Sequence, residues 1–283
     1  LLKARIKTPI LIMGYTDPQN FKVKKLPFSY AVFDIELAKV LNKYQSGCRI
    51  HIFVDTGMNR EGVAINELPK FLEEIKQLEN IKIEGLMSHL ASTDNVKDPL
   101  NKIQINNFKK ALKICKENGV YPKWIHLSNS DGLSLHPKGA KLNMARVGLT
   151  LYAEVLTLKS KIIQIKKLNK GDRVGYGGTF ITKKPMTLGV LPLGYYDGID
   201  RRLSDKGRVI VDNKLCKIVG RISMNITTID LTNVVDSYIG QEVVVYSNNP
   251  KDKNSIENTA KICKTIPYDI LVHLAASTRR TVV

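Results

Sequence analysis

Short clusters of polar residues stand where apolar runs of this sequence end, and they are the places where chemistry is available. Asp55-Thr56-Gly57-Met58 is followed closely by Arg60, Ser88 by His89, and His126 by Asn129 and Ser130. Arg146 interrupts the apolar run Met144 to Val147, just ahead of Gly148. A guanidinium on a buried strand needs an electron-rich partner, and the plainest one is a carboxylate at a domain seam. Histidine at a strand end serves either as an acid-base group or as a hydrogen-bonding core residue, and an Asn-Ser pair can simply start a helix. Further along, Val174 to Thr179 is a glycine-rich turn carrying Tyr176, Leu193 to Gly198 carries Tyr195, and Val219 to Met224 carries Arg221. Taken singly these are turns and hairpins. The sequence has no phosphate-binding P-loop, no histidine cluster and no Ser-His-Asp order.

These clusters need elements to hold them. Up to Val147 the runs Ile10 to Met13, Tyr30 to Phe33, Ile50 to Asp55, Ile81 to Ser88, Trp124 to Ser128 and Met144 to Val147 read as six strands. Between them Ile35 to Tyr44, Leu68 to Leu78 and Ile103 to Glu117 read as helices, the last with Ile103, Phe108, Ala111, Leu112 and Cys115 on one stripe. Alternation of this kind calls for a parallel sheet covered by helices. Because the polar clusters follow strand ends, where barrel active sites are built, a β/α barrel is preferred to an open doubly wound sheet. A complete barrel has eight strands, and this chain opens on Leu1 rather than Met. The expected fold class is therefore α/β: residues 1–155 form a TIM-type barrel lacking its first two βα units, and residues 156–283 a mostly antiparallel β domain. In the second part Lys161 to Lys167, Thr179 to Ile181, Thr187 to Leu193, Arg208 to Val211, Lys217 to Val219, Thr227 to Leu231 and Glu242 to Tyr246 read as strands. Ser255 to Cys263, capped by Ser255, and Tyr268 to Leu274 read as closing helices.

Composition limits the function classes. A chain of 283 residues, 43% hydrophobic and 25% charged, supports two domains with sizeable cores. It has neither an apolar run long enough to span a membrane nor a basic-then-apolar leader. Lys plus Arg number 44 against 26 Asp plus Glu, a formal charge of +18, but the excess is scattered in short lysine pairs without interleaved aromatics. That is the pattern of solvated faces, not of a nucleic-acid groove. Cys48, Cys115, Cys216 and Cys263 are far apart and form no C-x-x-C pair, which fits a reducing compartment without structural zinc or disulfides.

Read in order, DTGMNREG at Asp55, SHLASTD at Ser88, HLSNS at His126, ARVGLTLY at Ala145, GYGGTF at Gly175, PLGYYDG at Pro192, VGRISM at Val219 and TIPYDIL at Thr265 resemble the motifs of the alanine racemases, from residue 9 onward. That family uses pyridoxal 5'-phosphate on a two-domain barrel scaffold. The resemblance implies that Arg146 faces the pyridine nitrogen and keeps it unprotonated, because a guanidinium does not give up its proton. The ring is then a weaker electron sink, which disfavours side reactions such as transamination. Ser130, the backbone amides of Gly148 and Leu149, and Tyr268 would bind the phosphate, with Asn129 and His126 beside them. The implied catalytic group is Tyr176, His89 and Arg146, with Tyr176 acting in the site of a second subunit and His89 linking it toward Arg146. Arg60 and the backbone at Met224 would hold the substrate carboxylate, and Tyr195 would narrow the entrance. A shared site implies a head-to-tail homodimer. The implied role is cytoplasmic supply of D-alanine for peptidoglycan, with an amino-acid substrate and no metal, nucleic acid or membrane partner.

Three departures from the family pattern bear on function. The lysine that holds the cofactor and acts as second base belongs to a K-A-N-A-Y-G-H-G-like motif on the first barrel strand, and no lysine here sits in such a motif. The chain as given is therefore expected to be inactive without that segment. Phe53 stands where the family often has a carbamylated lysine, so Arg60 needs another anion, and Asn225 stands where an Asp is usual. Competing readings are a non-catalytic or regulatory cofactor-binding remnant and a racemase for serine or lysine. A decarboxylase of similar architecture is disfavoured by Arg146 in place of an acid, and a single-domain cofactor-homeostasis protein by the β domain.

Overall fold

The computed structural model describes residues 7–135, 142–148, 151 and 155–282. The chain divides into two compact units, residues 1–150 and 151–283. In the first, β1 (Leu11–Ile12), β2 (Ser29–Val32), β3 (Cys48–Asp55), β4 (Val63–Ala64), β5 (Ile81–Met87) and β6 (Trp124–His126) form one sheet. Its order is β1-β2-β3-β5-β6, every pair parallel, with β4 added at the end of β3. Strands laid side by side in chain order make the curled wall of a β/α barrel.

Alternation along β3 assigns the two faces. Ile50, Ile52 and Val54 are fully buried against the helices α2 (Ile35–Tyr44), α3 (Leu68–Lys76) and α4 (Pro99–Glu117), through Leu41, Leu68, Leu72 and Phe108. The other face gathers Ala31, Phe53 and Met87, with the Phe33 ring edge-on to Phe53 at 6.2 Å. Asp34 and Asp98 cap α2 and α4, each accepting backbone amides of the first turn. A short helix, α1 (Pro18–Val23), starts the same way at Asp17 and was not expected from the sequence.

The expected strand Met144 to Val147 is irregular backbone. Asn143 N–H donates to Ile125 O and Arg146 N–H to Ser128 O, a step of three residues that no regular ladder can repeat. The Asn143 side chain takes up the ladder positions itself, accepting from Ile125 N–H and donating to Lys123 O.

The second unit is antiparallel. β8 (Gln164–Leu168), β11 (Met186–Leu191) and β14 (Thr227–Asp230) form one sheet, and β7 (Leu158–Lys161), β12 (Arg208–Val211), β13 (Lys214–Lys217) and β15 (Glu242–Tyr246) another. β9 (Arg173–Val174) and β10 (Phe180–Ile181) make a small hairpin. The single strand expected over Lys161 to Lys167 is two, because the chain changes sheets between Ile162, bonded to Gln241 O, and Ile163, bonded to Val190 O. The strand expected at Lys217 to Val219 lies earlier, since Asp212 and Asn213 both adopt positive φ, 48° and 57°, and close a tight β12-β13 hairpin. Two helices follow, α5 (Ile256–Cys263), capped by Ser255, and α6 (Pro267–Val272). No helix among the described residues is long and apolar enough to cross a membrane.

Candidate active site

At the C-terminal end of β3 one carboxylate oxygen organises the loop. Asp55 Oδ1 accepts from the amides of Gly57, Met58 and Asn59 at 2.8, 3.0 and 3.2 Å. The loop then doubles back so closely that a Cβ on Gly62, whose φ is +121°, would lie 2.7 Å from the Val54 carbonyl carbon. This brings Arg60 to the rim, where its Nη2 lies 3.4 Å from Glu61 Oε2. Beneath the loop, Thr56 and Ser88 share a hydrogen bond of 2.8 Å. Gln104 of α4 is fully buried there; its amide nitrogen donates to His89 O at 2.9 Å and its oxygen accepts from Ala91 N–H at 2.8 Å. Asn107 adds a bond to Thr56 O. The helix thereby fixes the ends of β3 and β5 and the backbone of His89.

Arg146 reaches across the ends of β5 and β6. Its Nη2 donates to Ser88 O at 2.6 Å and Leu127 O at 3.2 Å and stands 3.2 Å from His89 Nδ1, while Nη1 stands 2.7 Å from His126 Nδ1. The carboxylate partner that a buried Arg suggests is not there among the described residues; carbonyls and two imidazoles take its place. Burial lowers the guanidinium to about 10, so it remains a cation at neutral pH. Burial, and then the Arg146 charge, push His126 down to about 3 and His89 to about 4, with the charge of Arg60 also acting on His89. Both rings are neutral at pH 7. Arg146 Nε is buried without a partner.

Ser130 Oγ accepts the Gly148 N–H at 2.9 Å. Asn129 turns inward, donating to Thr93 Oγ1 and accepting from Gly132 N–H, which shapes the turn that carries Ser130. Leu149 lies outside the described residues. Thus Arg146, His89, His126, Asn129, Ser130 and Gly148 gather at one end of the sheet. The sequence reading overlooked Gln104, which looked like part of an ordinary helix face, and His51, whose Nδ1 is 2.8 Å from His126 Nε2. The available signal for His51 was an imidazole alternating with Ile50 and Ile52 in an apolar strand.

In the second unit Tyr176 stands at the tip between β9 and β10 and is 69% exposed. Gly175 and Gly177 frame it at positive φ, and a Cβ on Gly175 would lie 3.1 Å from Arg221 N. Tyr195 and Tyr196 donate their amides to Ser223 O and Met224 O at 3.0 and 2.9 Å, so the segments carrying Tyr195 and Met224 are joined. Asn225 reaches Asp197 Oδ2 at 3.4 Å. A cavity of about 530 Å³ opens beside them, lined by Tyr195, Asp200, Arg201, Arg202, Asp269 and His273. Tyr268, on α6, is partly exposed.

Two family models divide the sequence between them: the alanine racemase N-terminal domain matches residues 1–154 and the alanine racemase C-terminal domain residues 155–282. This chain belongs to the alanine racemase family. The alanine racemase of Thermodesulfovibrio yellowstonii is 35% identical to it, across 99% of this chain and 78% of the relative. A solved alanine racemase structure from Bacillus anthracis with bound L-Ala-P is 29% identical with a TM-score of 0.84, covering 97% of this chain and 75% of that one. Another, from Bartonella henselae with covalently bound pyridoxal phosphate, is 25% identical with a TM-score of 0.83, covering 97% and 79%. As an alanine racemase family member the chain has an apolar residue, Phe53, packed between Phe33 and Met87, and the carboxylate nearest Arg60 is that of Glu61.

Proposed function

We propose that this protein is a pyridoxal 5'-phosphate-dependent racemase that interconverts L- and D-alanine, using a tyrosine and a lysine on opposite faces of Cα. The observation that carries the reading is Arg146: a half-buried cation whose neighbours are carbonyls and neutral imidazoles, with Nε buried and unpartnered. Those residues fit the cofactor, since an electron-rich ring nitrogen and a phosphate are what such a site lacks. When bound, the cofactor supplies the electron sink for charge developing at the substrate Cα.

The chain's own residues divide the remaining work. Arg146 keeps its protons at neutral pH and so holds the ring nitrogen unprotonated. Ser130 Oγ, already accepting from Gly148, has its own proton to donate to phosphate, assisted by the Leu149 amide and Tyr268 and supported by Asn129 and His126. His89 Nδ1 takes a hydrogen from Arg146, which leaves its proton on Nε2 as a donor toward the Tyr176 phenol. Tyr176, acting in the site of a second copy in a head-to-tail homodimer, moves the proton on one face. Arg60, steadied by Glu61, and the Met224 backbone take the substrate carboxylate, and Tyr195 narrows the way in. The second face is assigned to a lysine, for which this sequence offers no motif of the family's kind.

The same reading gives the protein a cytoplasmic place, supplying D-alanine to peptidoglycan, and divides it into a barrel domain over 1–155 and a β domain over 156–283. The test is to titrate the intact protein with pyridoxal 5'-phosphate, follow visible absorbance, and then follow optical rotation of alanine. Cofactor binding is expected, with interconversion of the enantiomers where the lysine-bearing segment is present. Binding without turnover on alanine, serine or lysine would instead establish the non-catalytic reading.

A further inference from the structure

We infer that His51 and Glu84 are positioning residues for Arg146: they hold His126 in the one tautomer that can accept a hydrogen bond from the guanidinium. Three features of the sheet build this arrangement. Between β3 and β5 the register runs Ile50 with Ile83 and then His51 with Gly85, so Glu84 is an extra residue in β5. A bulge of this kind re-aims a side chain, and here Glu84 Oε2 lies 3.7 Å from His51 Nε2 and 3.6 Å from Arg49 Nε. Directly across from His51, a Cβ on Gly85 would lie 2.6 Å from His51 Cγ and nearer still to Nδ1. Only glycine leaves the imidazole its place.

The third feature is the direction of the hydrogen bonds. Arg146 Nη1 offers only hydrogens, so His126 Nδ1, 2.7 Å away, must accept. A neutral His126 then carries its proton on Nε2, 2.8 Å from His51 Nδ1, which must accept in turn. His51 is left with its proton on Nε2, on the side of the Glu84 carboxylate. Both rings are buried, so neither can exchange these partners for water. The chain Arg146, His126, His51, Glu84 therefore has one polarity. Without an acceptor at His51, the His126 Nε2–H is a buried unpaired donor. Moving its proton to Nδ1 would set an N–H against Arg146 and displace the guanidinium.

The functional consequence rests on the reading of Arg146 as the cofactor's partner, whereas the tautomer is a property of the ligand-free protein. The experiment is nitrogen-15 NMR of labelled histidines in the intact ligand-free protein, with pyridoxal 5'-phosphate titrations beside it, for the wild type, His51→Leu, His51→Gln and Gly85→Ala. The wild type should show His126 purely as the Nε2–H tautomer. His51→Leu and Gly85→Ala should give mixed His126 tautomers and weaken cofactor binding about tenfold, the effect of one unpaired buried donor. His51→Gln, whose amide can accept and donate in the same order, should restore both. A proton on His126 Nδ1 in the wild type, which needs no variant to fold, would overturn the inference; so would His51→Leu with tautomer and affinity unchanged. A single Nε2–H tautomer in a protein that does not bind the cofactor would sink the proposed function and leave the relay intact, and turnover with an Nδ1–H His126 would do the reverse.

Discussion

Arg146 and Tyr176 are the two side chains on which the proposed chemistry turns, and the fold treats them in opposite ways. Arg146 is sunk among strand ends, its amino groups shared between Ser88 O, Leu127 O, His89 and His126. Tyr176 is 69% exposed on a hairpin tip held by glycines. A charge drawn out of water is tolerable only where most of its hydrogen-bond capacity is filled, so the groups around Arg146 must meet its amino groups with good hydrogen-bond geometry. An exposed phenol makes no such demand. The first region trades stability against its own precision; the second is presented to whatever docks on it.

The sharpest way to break this contrast is Arg146→Ala, which strands several buried acceptors and should destabilise the first unit by about 3–5 kcal/mol in denaturant titrations while abolishing racemisation. Acid should come next. His126 and His89 are held down to about 3 and about 4 in the folded protein against 6.5 for a free imidazole. Unfolded chains take up protons that these rings refuse, so their contribution is complete above about 6.5 and is lost as pH falls toward 4 and 3. The slope should be roughly 1.4 kcal/mol per pH unit for each imidazole, read from stability curves across that window. Gln104→Leu should cost about 1–3 kcal/mol, because Ala91 N–H and His89 O lose their partner, and should lower turnover through His89 without touching Tyr176. Tyr176→Phe should leave stability within about 0.5 kcal/mol. Its effect belongs in labelled-proton exchange, slowed on one face of the substrate far more than on the other; equal slowing on both faces with cofactor still bound would remove the tyrosine from its assigned role.

Where one segment decides its own structure, the letters were enough. Ile35–Tyr44 begins and ends where periodicity places it, because Asp34 caps it and its apolar face is continuous. Arg208–Val211 and Glu242–Tyr246 are likewise strands at their expected bounds. Met144 to Val147 failed because the Asn143 side chain competes with the backbone for β6, a choice invisible to hydrophobic pattern. Arg146 was legible as a lone cation in an apolar run, and the motif order placed His89 beside it; the carboxylate that its type alone suggests is replaced by carbonyls and a second imidazole, His126. His51 and Glu84 were missed because their meeting depends on a register slip between two strands, which neither strand encodes alone.

The Tyr246 hydroxyl, at the end of β15, donates to Gly198 O at 3.0 Å and receives the Asp200 N–H at 3.3 Å. That bolt ties the segment after Tyr195 to the core of its sheet, so one wall of the neighbouring cavity is braced from behind by a buried ring.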